Sequence, residues 1–140
     1  MWFKNFSVQE INNRPKNHLG GLLGIEFIEI TDTGLSARMP VDDRTKQPYG
    51  ILHGGASVVL AETVGSIASS LIIDPEQYIA VGLEVNANHL RPVKQGFVTA
   101  HCTAIHLGAK THVWDIKIYT DAGKLSCISR LTVAIVPNNL

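Results

Sequence analysis

A chain of 140 residues with 45% hydrophobic and 17% charged side chains has room for one continuous core and reads as globular, not disordered. Twelve Lys and Arg offset twelve Asp and Glu, so no general field draws in nucleic acid, and a phosphate-bearing ligand must be held by local charge. No apolar run approaches the roughly 20 residues of a membrane span, and Met1-Trp2-Phe3-Lys4-Asn5 lacks the apolar stretch of a signal peptide. The expected location is the cytosol, without a membrane or nucleic-acid partner.

No internal repeat, low-complexity segment or linker divides residues 1–140, which are expected to form a single domain. Residues 1–23 are mixed in character, with a short helical piece at 9–13. From Gly24 the pattern changes: Ile25 and Phe27 alternate with Glu26 and Ile28 as in a strand. Thr31-Asp32-Thr33-Gly34 is turn chemistry, and residues 35–39 return as the second strand of a hairpin. Pro40 to Tyr49 is polar and irregular. Residues 54–72 form one long helix, with Val58, Ala61, Gly65, Ala68 and Ile72 at spacings of three and four. It is apolar nearly all round, so it is expected in the middle of the fold. Asp74-Pro75 closes it.

Four strands follow, at 79–90, 97–107, 112–120 and 125–136. Their last two joins, Gly108-Ala109-Lys110-Thr111 and Asp121-Ala122-Gly123-Lys124, are of hairpin length and so impose antiparallel neighbours. The expected class is α+β: a curled antiparallel sheet in the order β-β-α-β-β-β-β around one central helix. Cys102 and Cys127 fall inside strand-like runs with no CxxC, which suits two buried, inert thiols.

Chemistry is concentrated around the long helix. Gln47-Pro48-Tyr49-Gly50-Ile51-Leu52-His53-Gly54-Gly55 leads into its start, where free backbone N–H groups stabilise an oxygen that gains negative charge. The bland alternative is that Gly54 and Gly55 only permit a tight loop. Glu62 is the sole charged residue over 56–73, and a carboxylate on an apolar helix is expensive to bury without purpose. Ser66, four residues on, shares its face. The alternative for Glu62 is a narrow solvated stripe or an arginine partner.

Eight residues separate Gly54 from Glu62, about 12 Å along a helix. Reacting atoms must approach to roughly 3–3.5 Å, so either only one of the two is catalytic or the site joins Gly54 of one subunit to Glu62 of another. A two-fold dimer with antiparallel helices supplies two such sites, with Ala61, Gly65 and Ala68 small enough to let the helices approach. Of the six histidines, His53 abuts the glycine pair. His89 and His106 lie beside loops that hold Arg91, Lys94 and Lys110, whereas His18, His101 and His112 read as structural or exposed. HExxH and GxSxG are both absent, so no metal and no hydrolase nucleophile elbow is expected.

At these residues the chain resembles the hotdog-fold acyl-CoA thioesterases of the phenylacetate-pathway type. It is especially similar to the branch acting on 1,4-dihydroxy-2-naphthoyl-CoA and to the enterobactin-proofreading branch. The similarity is carried by Met39-Pro40-Val41-Asp42, Arg44 to Pro48, Gly50 to Gly65, Val81 to His89 and Ile105 to Gly108. It spans nearly the whole chain and is weakest in residues 1–20. The resemblance implies hydrolysis of acyl-CoA, aromatic acyl groups favoured, by a homodimer paired again into a homotetramer, with no cofactor. Glu62 would be nucleophile or general base, Gly54 and Gln47 would polarise the carbonyl, His53 would act near the leaving sulfur, and Ser66 would place Glu62 or water. CoA would be held by Gly82, by His89, Leu90, Arg91 and Pro92, and by His106, Leu107, Gly108, Ala109, Lys110 and Thr111. Proline at 92 departs from the family pattern and bears on backbone contacts to the nucleotide. The acyl group itself does not carry over.

Two other readings share these residues. A hotdog hydroxyacyl-thioester dehydratase would pair Glu62 with His53 for proton transfer and hydrate a crotonyl thioester. A non-catalytic acyl-CoA-binding module would bind the ester without releasing thiol.

Overall fold

The computed structural model describes residues Met1–Leu140. Two short helices, α1 (Val8–Asn12) and α2 (Leu19–Leu22), precede β1 (Glu26–Ile30) and β2 (Gly34–Pro40). The long helix α3 (Gly54–Ser70) follows, and then β3 (Tyr78–His89), β4 (Phe97–Leu107), β5 (Thr111–Thr120) and β6 (Leu125–Pro137). The six strands make one antiparallel sheet in the order β1-β2-β4-β5-β6-β3. The sheet curls over α3, which packs on β2 through β6. This is the expected hotdog architecture. β3, although next in sequence to β4, crosses the sheet to pair with β6 alone and leaves its other edge free.

Period-two alternation makes the strands. On β5, His112, Trp114, Ile116 and Ile118 are buried while the intervening residues are only partly so. Full burial of side chains such as Trp114, Ile116, Ile118 and Leu131 contributes about 1.5–3 kcal/mol each. Against them lie Leu60, Ala61, Val64 and Ala68 of α3, all fully buried. Gly65 is held so close to the sheet that a Cβ there would stand 2.5 Å from Leu131 Cδ2.

Two expectations for this helix need correction. It ends at Ser70, not 72: Leu71 N–H turns back to the Ile67 and Ala68 carbonyls and Ile72 N–H to Ser69, the tightened last turn common at helix ends. Ala61, Gly65 and Ala68 are spent on helix-to-sheet packing within the chain, so they are not a surface on which a second helix can lie. The opposite face, with Val58, Val59, Glu62, Thr63, Ser66 and Ile67, is only partly buried.

Arg38 Nε is buried without a hydrogen-bond partner, whereas the polar groups at the centre of the core are paired. Trp114 donates through Nε1 to Ser69 Oγ at 2.8 Å, and the same hydroxyl meets His112 Nδ1 at 2.9 Å. Burial pushes His112 below the ordinary histidine range, aided by nearby His106 and opposed by contact with the Gly108 backbone. Cys102 and Cys127 are free and buried, and burial raises both thiols above the usual value, Cys102 strongly. No helix is long and apolar enough to cross a membrane.

Candidate active site

Helix α3 carries Glu62 and Ser66 one turn apart on its partly buried face. The Glu62 carboxylate lies against β3 at Gly82, where a Cβ would overlap its Oε2. Only a glycine admits that approach. The β3–β6 register also shifts between Gly82 and Glu84, a bulge of the kind that re-aims a strand beside a site. None of the four ion pairs of the chain, Lys4–Glu10, Arg38–Glu26, Arg44–Asp42 and Lys117–Asp115, includes Glu62. The arginine partner is therefore absent, and the narrow stripe is limited to Thr63 and Ser66 beside Glu62 on the same partly buried face.

Glu62 and Ser66 form part of the wall of a cavity of about 650 Å³ between α3, β1 and the segment that precedes β1. Ile11, Ile25, Phe27, Val59 and Ile67 give it an apolar lining. That size and character suit a small organic group.

The N-terminal end of α3 faces a second hollow, of about 500 Å³. Gln47, Gly54, His89, Leu90, Arg91 and Pro92 line it, so the loop, the helix start and the end of β3 are brought together there. Gln47 Oε1 accepts the Tyr49 N–H. A backbone N–H only donates, so the contacting atom is the amide oxygen and the Nε2 donor group is left for a ligand. His53 caps the helix, its Nδ1 accepting the Gly55 N–H at 2.8 Å. His89 packs over Gly54, where a Cβ would stand 2.7 Å from His89 Nε2. Leu90 N–H and Arg91 Nε bond to the carbonyls of Ser126 and Leu125, each at 2.8 Å, which ties this segment to β6.

The remaining sequence-predicted residues lie elsewhere. His106, Leu107, Gly108, Ala109, Lys110 and Thr111 form the end of β4, its link and the first residue of β5. Leu107, Gly108 and Ala109 face a separate hollow beside Tyr78 and His112. Within one protomer the predicted set therefore occupies three places: Glu62, Ser66 and Gly82; Gln47, Gly54 and residues 89–92; and the 106–111 hairpin. No three His, Cys, Asp or Glu side chains converge in a metal-holding group.

The family described as Thioesterase superfamily matches residues 49–127, which include all of α3 and the lining of the second hollow except Gln47. The chain belongs to the thioesterase superfamily. It is 57% identical to the crystal structure of a variant of thioesterase PA1618 from Pseudomonas aeruginosa, with a TM-score of 0.95 and coverage of 97% of this chain and 98% of that one. Over 136 residues it is 48% identical to the 1,4-dihydroxy-2-naphthoyl-CoA hydrolase of Escherichia coli, covering 97% of this chain and 99% of the relative. It is also 43% identical to the proofreading thioesterase EntH of Cronobacter turicensis, covering 97% and 98%. This thioesterase is thus an enzyme, a thioester hydrolase of the hotdog fold.

Sequence reasoning missed one wall of the larger cavity. Asn12, Arg14, Lys16 and His18 line it from a segment without periodicity. The usable signal was Gly20-Gly21, a pair that marks close backbone approach.

Proposed function

We propose that the enzyme hydrolyses acyl-CoA thioesters to the free acid and CoA, favouring aromatic acyl groups, at sites shared between two protomers. The observation that carries this reading is the Glu62 carboxylate: the one charged group of the cavity-facing helix, outside every ion pair, at the wall of an apolar chamber. The name of the Escherichia coli relative supports an aroyl-CoA substrate, with 1,4-dihydroxy-2-naphthoyl-CoA as the first to assay.

In this reading Glu62 either takes the proton from water as the hydroxyl adds to the thioester carbon, or adds itself to form an anhydride that water cleaves. The carbonyl oxygen gains a negative charge, which the Gly54 N–H and the Gln47 Nε2 donors stabilise. The C–S bond breaks and the thiolate leaves as CoA, taking its proton near His53. Ser66 places Glu62 or water. CoA lies along residues 89–92 and 106–111, with Arg91 and Lys110 near its phosphates and Gly82 giving room beside Glu62.

Two protomers are needed because Gly54 and Glu62 stand about 12 Å apart on one helix. The free edge of β3 supports the pairing: a twelve-residue strand with exposed Val81 and Leu83 has only β6 as neighbour, and such an edge calls for a partner. A second pairing would give a homotetramer.

Complementation tests this reading. Glu62→Gln should keep the fold and lower turnover at least ~10²-fold. A Glu62→Ala protomer mixed with one carrying Gln47→Ala and His53→Ala, after reversible dissociation, should regain about half the wild-type activity per heterodimer, as one of two sites is restored. Heterodimers verified by mass but as inactive as both parents would place the whole site in one chain. Near wild-type turnover by Glu62→Gln would remove the carboxylate from the mechanism.

A further inference from the structure

The segment over the larger cavity is built, not draped. Asn12 holds the backbone of Phe27 from both sides, Nδ2 donating to its carbonyl and Oδ1 accepting its N–H, each at 2.8 Å. Lys16 lies so close to Gly21 that a Cβ on Gly21 would overlap the Lys16 carbonyl. His18 Nδ1 accepts the Gly21 N–H at 3.2 Å. A Cβ on Gly20 would be 3.5 Å from Thr63 of α3, so the strap rests directly on the helix that carries Glu62. Pro15, with its fixed φ, separates Arg14 from Lys16.

The charges of this cavity are one-sided at its mouth. Arg14, Lys16 and Glu62 are its only charged residues, and neither cation joins any of the four ion pairs of the chain. Both are exposed, whereas Ile25, Phe27 and Ile11 beneath them are buried. His18 Nδ1 is taken up by the Gly21 N–H, which leaves Nε2 as a further polar atom at the same rim. A chain with no net charge thus sets two unpaired cations over an apolar chamber.

We propose that Arg14 and Lys16, held by the strap, make the chamber selective for acyl groups that carry an anionic substituent, a carboxylate or an ionised phenol, on an apolar ring. The ring occupies the Ile25, Phe27 and Val59 lining, and its charged substituent reaches the cationic mouth. The proposal rests on the acyl-CoA reading above. It adds a specificity determinant in the part of the sequence where the family resemblance is weakest. A solvated pair of loop cations is the bland alternative, and cations that hold the CoA phosphates are another.

Two esters of nearly equal shape separate these cases: 4-carboxybenzoyl-CoA and 4-methylbenzoyl-CoA, assayed with wild-type enzyme and the Arg14→Gln/Lys16→Gln double variant. The double variant should lose about five- to tenfold in kcat/KM for the carboxy ester, mostly through KM, as expected for two partly screened charge contacts. The methyl ester should change less than about twofold, and the carboxy preference should shrink at high salt. Equal losses on both esters would move the cations to the shared CoA portion and overturn the proposal. No loss on either would leave them as solvated loop charges, which overturns it too. Calorimetric titration of both esters into Glu62→Gln protein, with and without the double substitution, reads the charge preference without turnover. If hydrolysis of acyl-CoA fails as the function, this second measurement still decides the proposal: a preference for the carboxy ester that the double substitution removes supports it, and binding with no such preference overturns it.

Discussion

The strap over the cavity and the sheet beneath α3 are held by different means. The sheet is a continuous ladder through six strands, with fully buried Trp114, Ile116, Ile118 and Leu131 against α3. The strap sends one side chain, Ile11, into the core and otherwise hangs on a few local devices: the Asn12 clamp on Phe27, the His18 cap and the Lys16–Gly21 approach, with Trp2 Nε1 donating to the Thr31 carbonyl beyond them. A core of interlocked side chains resists change at any one point. A segment fixed mainly by single clamps is rebuilt at less cost to the helix below it. In the proposed reading, acyl selection falls to the strap and the reactive carboxylate to the frame.

The largest effect that would test this contrast is in the frame. Leu131→Ala removes a fully buried side chain packed against Gly65 and should cost about 2–5 kcal/mol of global stability, measured by urea denaturation at fixed protein concentration. A cost below about 1 kcal/mol would mean that the sheet collapses around the gap and is no stiffer than the strap.

Asn12→Ala should act locally and less strongly. It removes two hydrogen bonds and leaves the Phe27 backbone groups to water, about 1–3 kcal/mol of strap closure. Hydrogen exchange should quicken at residues 8–24 and at Phe27 while amides of β5 and β6 keep their protection. Equal loss of protection in strap and sheet would make the two a single cooperative unit and break the comparison.

The smallest effect is a pH dependence inside the frame. The folded pKa of His112 is depressed, first by burial and then by His106. Above the unfolded value of 6.5 both states are neutral at this site. As pH falls below 6.5 the unfolded chain takes up a proton that buried His112 refuses, so stability declines until the lower folded pKa is passed. His112→Gln should therefore lose less Tm than the wild type between pH 7 and pH 5. Parallel pH profiles for the two proteins would show that other groups carry the acid sensitivity.

The sequence by itself determined much of the architecture. Alternating residues such as Trp114, Ile116 and Ile118 can bury one face only as a strand, and hairpin-length joins at 108–111 and 121–124 force antiparallel neighbours. Glu62 stood out because charge is costly on an apolar helix. Strand order was decided by the tertiary structure, since the 90–96 connection is long enough for β3 to leave β4 and pair with β6. The use of Ala61, Gly65 and Ala68 was likewise settled only in three dimensions, because a small residue permits close approach without naming the neighbour. The strap was the least legible part. Arg14, Lys16 and His18 have no period, and their meeting with Glu62 around one cavity depends on contacts such as Lys16 on Gly21 and Gly20 on Thr63. Local sequence encodes periodicity and turn chemistry. Which surfaces then face each other depends on close packing among residues far apart in the chain.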